Sequence, residues 1–326
     1  MSDISQNYQS SRIVTYSPAH TLVPTHECFN RCTYCNFRTE PRQSPWLTPA
    51  AAQLQLTAIS HQPIIEILIL SGEVHPASPR RSDWLQRIYD LAKLALNQGY
   101  LPHTNCGPLS FAEMVLLKEV NVSMGLMLEQ VTHLLETHKH APSKLPQVRL
   151  QQLEQAGQLG IPFTTGLLLG IGESPEDWLV SLASIAEIHR RWHHIQEVIL
   201  QPHQPSRQSH SPAGDSEMRV LQQLPALVAT ARRILPEDIT IQVPPNLVSS
   251  PDVLIACLEA GARDLGGIGS VDVVNPDYPH SGCLAEFLAE AGWCLTKRLP
   301  VYPQYDRWLS EPLQRAVDRW RIIIDN

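Results

Sequence analysis

Along most of this chain, apolar runs of strand length alternate with longer helix-like segments, beginning clearly at residues 64–70 and ending near 265–268. This alternation restricts the fold more than any other feature, because strands joined by helical crossovers lie parallel in one sheet. The candidate strands are 21–25, 64–70, 101–105, 123–128, 163–169, 197–201, 239–243 and 264–268. Amphipathic segments at 84–97, 111–119, 146–159, 177–189 and 220–234 fall between them, with glycines such as Gly99 and Gly160 at their ends. Eight strands with intervening helices fit an α/β barrel, complete or partly open, whose chemistry would sit at the C-terminal ends of the strands. A doubly wound open sheet is the competing arrangement. The expected organisation is an N-terminal extension over 1–20, a barrel over 21–300 and a helical C-terminal extension over 301–326 that packs across the barrel. Residues 202–216, rich in Pro, His, Ser and Gln, are too many for a turn and read as a lid or a disordered loop.

Composition removes several function classes. The 326 residues carry 25 Lys and Arg against 32 Asp and Glu, a net charge of -7, without a long run of either sign. A nucleic-acid partner is therefore not expected, because gripping a phosphate backbone needs a basic surface. No apolar stretch has signal-peptide or membrane-spanning length, so a cytoplasmic protein that does not engage membranes is expected. Seven cysteines are an odd number, and in a reducing compartment they point to metal or redox chemistry rather than disulfides.

Three of those cysteines stand together after the first candidate strand, as Cys28-Phe-Asn-Arg-Cys32-Thr-Tyr-Cys35. Closely spaced thiolates on one short loop suit an iron-sulfur cluster, and three ligands leave one iron of a cubane open to a chelating ligand. A zinc site completed by His26 or a distant histidine, in a non-enzymatic interaction module, is the competing reading. Cys106, Cys257, Cys283 and Cys294 are too irregularly spaced for a second cluster and read as buried or incidental thiols. His133, His138 and His140 lie in a polar stretch and read as surface residues.

The cysteine spacing, with aromatic Tyr34 before the last thiol, resembles the radical S-adenosylmethionine (SAM) superfamily. The resemblance implies a TIM-barrel-like fold and a [4Fe-4S] cluster held by Cys28, Cys32 and Cys35. It also implies reductive cleavage of SAM to methionine and a 5'-deoxyadenosyl radical. On the same basis Tyr34, Gly72, Glu73, Glu129, Gly170 and Gly172 are implied in SAM binding. Gly72-Glu73 follows the second strand as a partial match, since Ser71 replaces a glycine usual there. Glu129 ends the Gly125–Glu129 string, and Gly170 and Gly172 lie in the glycine-rich exit of the fifth strand.

Longer strings are similar to one family within that superfamily, the 7,8-didemethyl-8-hydroxy-5-deazariboflavin synthases, on the side of the cluster-binding subunit that closes the ring. They include Met124–Glu129, Ala141-Pro-Ser-Lys144 with Arg149, Ile161–Gly166 through Glu173, Val243-Pro-Pro-Asn246, and Arg298-Leu299 leading to Tyr302. Gly72-Glu73-Val74-His75-Pro76 departs from the family, where an arginine and a second acid are usual. The resemblance implies a tyrosine-derived hydroxybenzyl-uracil substrate, hydrogen abstraction at its benzylic carbon and loss of ammonia. It further implies a companion radical SAM subunit that makes the adduct, and a low-potential electron donor. The tyrosine-consuming activity of that companion, or a menaquinone-pathway step, remains an alternative. A uracil, a phenol and a polyhydroxyl chain need amide partners. Asn105, Gln201, Gln242 and Asn246 stand at or near strand ends and are the candidates, although Pro244-Pro245-Asn246 reads equally as a turn.

Overall fold

The computed structural model describes residues 12–133, 135–203, 214–248, 250–269 and 282–324. Eight parallel strands close on themselves: β1 (Ile13–Leu22), β2 (Glu66–Leu70), β3 (Leu101–Asn105), β4 (Ser123–Gly125), β5 (Phe163–Leu169), β6 (Ile195–Pro202), β7 (Thr240–Gln242) and β8 (Asp264–Ile268). β1 makes the closure, pairing with β8 over Thr15–Pro18 and with β2 over Ala19–Leu22. A short ninth strand, β9 (Cys294–Lys297), pairs with the start of β1 below the barrel. Between the strands run α1 (Pro49–Ala58), α2 (Arg81–Asn97), α3 (Phe111–Lys118), α4 (Pro146–Gln158), α5 (Pro175–Trp192), α6 (Gly214–Ile234), α7 (Pro251–Glu259) and α8 (Gly282–Glu290), before the terminal α9 (Glu311–Ile324).

Local chemistry sets several of these boundaries. Thr48 accepts the Ala51 N–H to start α1, with Pro49 in the first turn. Reciprocal Ser110/Glu113 and Ser174/Asp177 capping boxes start α3 and α5. The main core lies between barrel and helices, where Ile67, Ile69, Trp84, Leu91, Phe163, Leu182 and Val198 are buried. A second core seals the bottom: Leu299, Val301, Tyr305, Leu309, Leu313 and Val317 pack on Ile65, Leu101 and Val122 at the strand starts. The C-terminal segment thus stops the N-terminal end of the barrel.

One expectation needs correction. The first strand is Ile13–Leu22 rather than 21–25, so residues 13–20 lie in the barrel wall, not in an extension. Its inner face is polar and it contains Pro18, which hides it from a search for apolar runs. The expected lid over 202–216 lies largely outside the described residues. Of that stretch, Pro202 ends β6 and 214–216 begin α6.

Candidate functional site

The parallel register selects which side chains face the barrel interior. Leu68, His103 and Ser123 share a face, as do Leu70 and Asn105. Around the wall the same face continues through Gly125, Thr164, Glu197 and Thr240, and then Gly166, Ile199, Gln242 and Asp264. Gln201 joins it beside Leu168. Three of the four amides expected at the substrate, Asn105, Gln201 and Gln242, therefore point inward near the C-terminal ends of their strands. Asn246 instead sits in the short turn Pro245–Leu247 beyond β7, half-buried and off that register.

Beneath the amides lies a charged floor. Arg298, rising from the C-terminal segment, forks to Asp264 at 2.6 and 2.8 Å and also pairs with Glu197. Glu197 accepts the Thr164 hydroxyl at 2.9 Å and the Tyr302 hydroxyl at 3.1 Å. With Glu66 also buried nearby, acids outnumber the one guanidinium. Burial, countered by Arg298 but reinforced by Asp264 and Glu66, pushes the Glu197 carboxyl up to about 7.

The cysteine loop caps the opposite, C-terminal mouth, stitched to its neighbours by main-chain bonds. Gly72 N–H donates to Thr25 O at 2.8 Å, Phe29 N–H to Glu73 O at 3.0 Å, Arg31 N–H to His140 O at 2.8 Å and Thr33 N–H to Thr137 O at 3.2 Å. A side chain at Gly72 would place its Cβ 2.2 Å from the Glu27 carbonyl oxygen, so glycine there lets the β2 exit and the loop touch. Glu73 anchors the loop from below: one carboxylate oxygen accepts Asn30 Nδ2 at 2.8 Å and the Ser143 hydroxyl, and the other lies 3.4 Å from Arg149. Glu129, in a left-handed conformation (φ 66°), pairs with Lys144 at 2.5 Å and Arg149 at 3.7 Å. Burial acts to raise the Glu129 carboxyl, but Lys144 and Arg149 outweigh it and hold it below the usual range. Gly170 and Gly172 have φ of 89° and 109°, and their turn is held by Glu173, which accepts the Gly170 and Ile171 N–H groups.

Sequence reasoning missed part of this site. Tyr34 lies 3.0 Å from His138 Nε2 and packs edge-on against His138 and His203. His138, expected on the surface, is thus half-buried at the mouth, where burial lowers it to about 4. Asn30, Ser143, Lys144 and Arg149 join acids far away in the chain. Only their presence inside the quoted strings, or inside the cysteine motif itself, could have marked them.

The thiols suit a cluster better than a single ion. Cys28, Cys32 and Cys35 are unpaired by disulfides. Among the described residues, His189, His193 and Asp238 form the one trio of possible metal ligands whose atoms converge within 4.8 Å. Tetrahedral zinc would need its sulfurs about 4 Å apart given Zn–S bonds of about 2.3 Å, and the three thiols do not all converge within 4.8 Å. His26 donates its Nδ1 proton to the Phe37 carbonyl at 3.1 Å, which leaves Nε2 as an acceptor. Burial pushes the Cys32 thiol up to about 11, so at neutral pH a metal would have to displace its proton. The other trio is a poor ligand set: His189 Nδ1 accepts the Ile195 N–H, which leaves the Nε2 proton for Asp238 at 3.0 Å and no lone pair for an ion.

A closed parallel barrel with three free thiols at its C-terminal mouth defines a class of enzyme, and residues 22–185 match the Radical SAM superfamily. The chain belongs to that superfamily, whose members carry a [4Fe-4S] cluster and use SAM. The 7,8-didemethyl-8-hydroxy-5-deazariboflavin synthase of Nostoc sp. (strain PCC 7120) is 63% identical over 318 residues, covering 96% of this chain and 92% of that protein. The synthase of the same name from Thermosynechococcus vestitus is 64% identical over 310 residues, covering 94% and 98%. The chain belongs to the 7,8-didemethyl-8-hydroxy-5-deazariboflavin synthase family. Among solved structures, the FeFe-hydrogenase maturase HydG from Carboxydothermus hydrogenoformans superposes with a TM-score of 0.71 at 18% identity, covering 97% of this chain and 79% of that one. Methylornithine synthase superposes with a TM-score of 0.63 at 17% identity, covering 90% and 86%. Those two likenesses concern the fold alone.

Proposed function

We propose that this chain is the ring-closing radical synthase of its family. It would convert 5-amino-5-(4-hydroxybenzyl)-6-(D-ribitylimino)-5,6-dihydrouracil to 7,8-didemethyl-8-hydroxy-5-deazariboflavin, releasing ammonia, methionine and 5'-deoxyadenosine. The observation that carries this reading is the three-thiol loop over an amide-lined barrel in a chain 63% and 64% identical to synthases of that name.

Cys28, Cys32 and Cys35 would hold the cluster, and Tyr34, Gly72, Glu73, Glu129, Gly170 and Gly172 line the place where SAM would lie. When bound, cluster and SAM supply a 5'-deoxyadenosyl radical that takes a hydrogen atom from the substrate. The chain's own work is positioning. Glu73 fixes the loop through Asn30 and Ser143, while Lys144 and Arg149 balance the buried Glu129. Asn105, Gln201 and Gln242 offer amide donors and acceptors to a polar heterocycle inside a wall that excludes bulk water. Asn246 stands near the same mouth as a further candidate.

The adduct would come from a companion radical SAM subunit and the electron from a low-potential donor. No helix among the described residues is long and apolar enough to cross a membrane. A cytoplasmic setting, where thiols stay reduced, suits the site. The test is to incubate anaerobically reconstituted protein with the adduct, SAM and a reductant. Deazaflavin absorbance and fluorescence with matching 5'-deoxyadenosine are expected, and a reconstituted protein that cleaves SAM without forming the deazaflavin would refute the assignment.

A further inference from the structure

We infer that His103, on the inner face of β3, is a substrate-reading residue: its Nε2 accepts the ring N–H of the substrate's pyrimidinedione, with the Asn105 amide donating beside it. This inference rests on the proposed reaction and deepens it by naming the group that reads the heterocycle.

The proton inventory of a short buried chain fixes what His103 offers. The Ser123 hydroxyl has one proton, and it goes to the Pro300 carbonyl at 2.7 Å, since a carbonyl can only accept. Ser123 Oγ also lies 2.7 Å from His103 Nδ1, so that contact must use a proton carried by Nδ1. The ring is buried and shares the barrel floor with Arg298, which disfavours a second proton. Nε2 is then a bare acceptor, and no described residue bonds it.

Nε2 also lies on the inner face of the barrel, on the register shared with Asn105. A Cβ built on Gly125 would lie 3.0 Å from His103 Nε2 and 3.6 Å from Asn105 Nδ2. Both polar atoms therefore lie close to the bare Cα of Gly125, where a side chain would crowd the imidazole, on the inner face shared with Gln201 and Gln242. A ring N–H between two carbonyls requires an acceptor flanked by donors. The His103 nitrogen with the Asn105 amide supplies an acceptor next to a donor. A histidine buried only for packing would have no need of a relay that reserves its second nitrogen. The relay ends on the Pro300 carbonyl, so the C-terminal stopper sets the tautomer of a residue in the cavity.

The test measures binding of the fluorescent deazaflavin product, and of its analogue methylated on the pyrimidinedione ring nitrogen, to anaerobically reconstituted holoenzyme. Wild-type protein is expected to bind the methylated analogue roughly 10- to 100-fold more weakly, the cost of losing a buried hydrogen bond and leaving its partner unmet. His103→Asn, which keeps a donor near Nδ1 but lacks the Nε2 acceptor, should lose that discrimination, and His103→Gln should keep most of it. Nitrogen NMR of labelled histidine should report the Nδ1–H tautomer in wild type and its loss in Ser123→Ala. Equal binding of both ligands by wild type, a comparison that needs no variant, would overturn the inference, as would full discrimination by His103→Asn. If wild type forms deazaflavin yet fails these tests, only the role of His103 falls. If it forms none, the reaction assigned above falls and this role with it.

Discussion

Arg298 is the single cation among three buried acids, and replacing it with methionine isolates what it contributes. The guanidinium side chain is 10% exposed, with Glu197 at 4% and Asp264 at 0%, so little solvent screening softens its loss. Removing one partner from a buried ion set costs about 3–5 kcal/mol, because the remaining charges keep their desolvation penalty. For a chain of this length that corresponds to a thermal midpoint lowered by about 4–7 °C at pH 8. The sign of the pH dependence follows from the acids. A carboxyl whose folded pKa is raised contributes stability that is present below its unfolded value and lost as pH rises through the folded value. For Glu197 that window runs from 4.5 to about 7 in the wild type. Without Arg298 the folded values rise further, so the variant should recover as pH falls, by about 1.4 kcal/mol per pH unit for each carboxyl that must take a proton. Anaerobic thermal melts of Arg298→Met at pH 8 and pH 6, with Arg298→Met/Glu197→Gln as the paired control, measure this. The double variant should regain part of the loss. A deficit equal at both pH values, or below about 1 kcal/mol, would refute the account of the floor.

Further outcomes follow from the mouth. Cys32→Ala should lose the brown chromophore and SAM cleavage while keeping its circular dichroism, since the loop lies outside the main core; iron and sulfide analysis checks the first and an activity assay the second. Glu73→Gln should weaken SAM binding about tenfold or more through loss of the anchor shared by Asn30, Ser143 and Arg149, as read by calorimetry on reconstituted protein. Gly72→Ala should cost about 1–3 kcal/mol and lower cluster loading, because its Cβ meets main chain rather than a movable side chain. Denaturant melts and iron content report both effects.

Strands β3, β5 and β8 were legible to their ends because each is a compact run bounded by turn residues. The two flanks of the barrel were not. The inner face of β1 carries Thr15 and Ser17 for the floor, and its outer face includes Pro18, so its sequence lacks the apolar signature of a doubly covered strand. β9 is four residues long and largely exposed. In the site, the cysteine spacing and strand-end glycines could be read because their chemistry is local. The Asn30–Glu73–Ser143 cluster joins residues up to 113 positions apart, and no local pattern encodes such pairings. His138 was misplaced for the same reason: its neighbours in sequence are polar, whereas its neighbours in space are Tyr34 and Glu129. The amides fared better, because period-two alternation assigns inward positions once a strand's ends are known. Asn246, past the end of β7, lay beyond that rule.

The stopper built from Leu299, Val301, Tyr305 and Leu309 turns the barrel from a tunnel into a blind well. Among the described residues the strand starts are sealed, so a molecule reaching the amides would come from the end of the barrel that carries the cysteine loop. The end of the chain farthest in sequence from the thiols thereby decides which side of the barrel stays available to them.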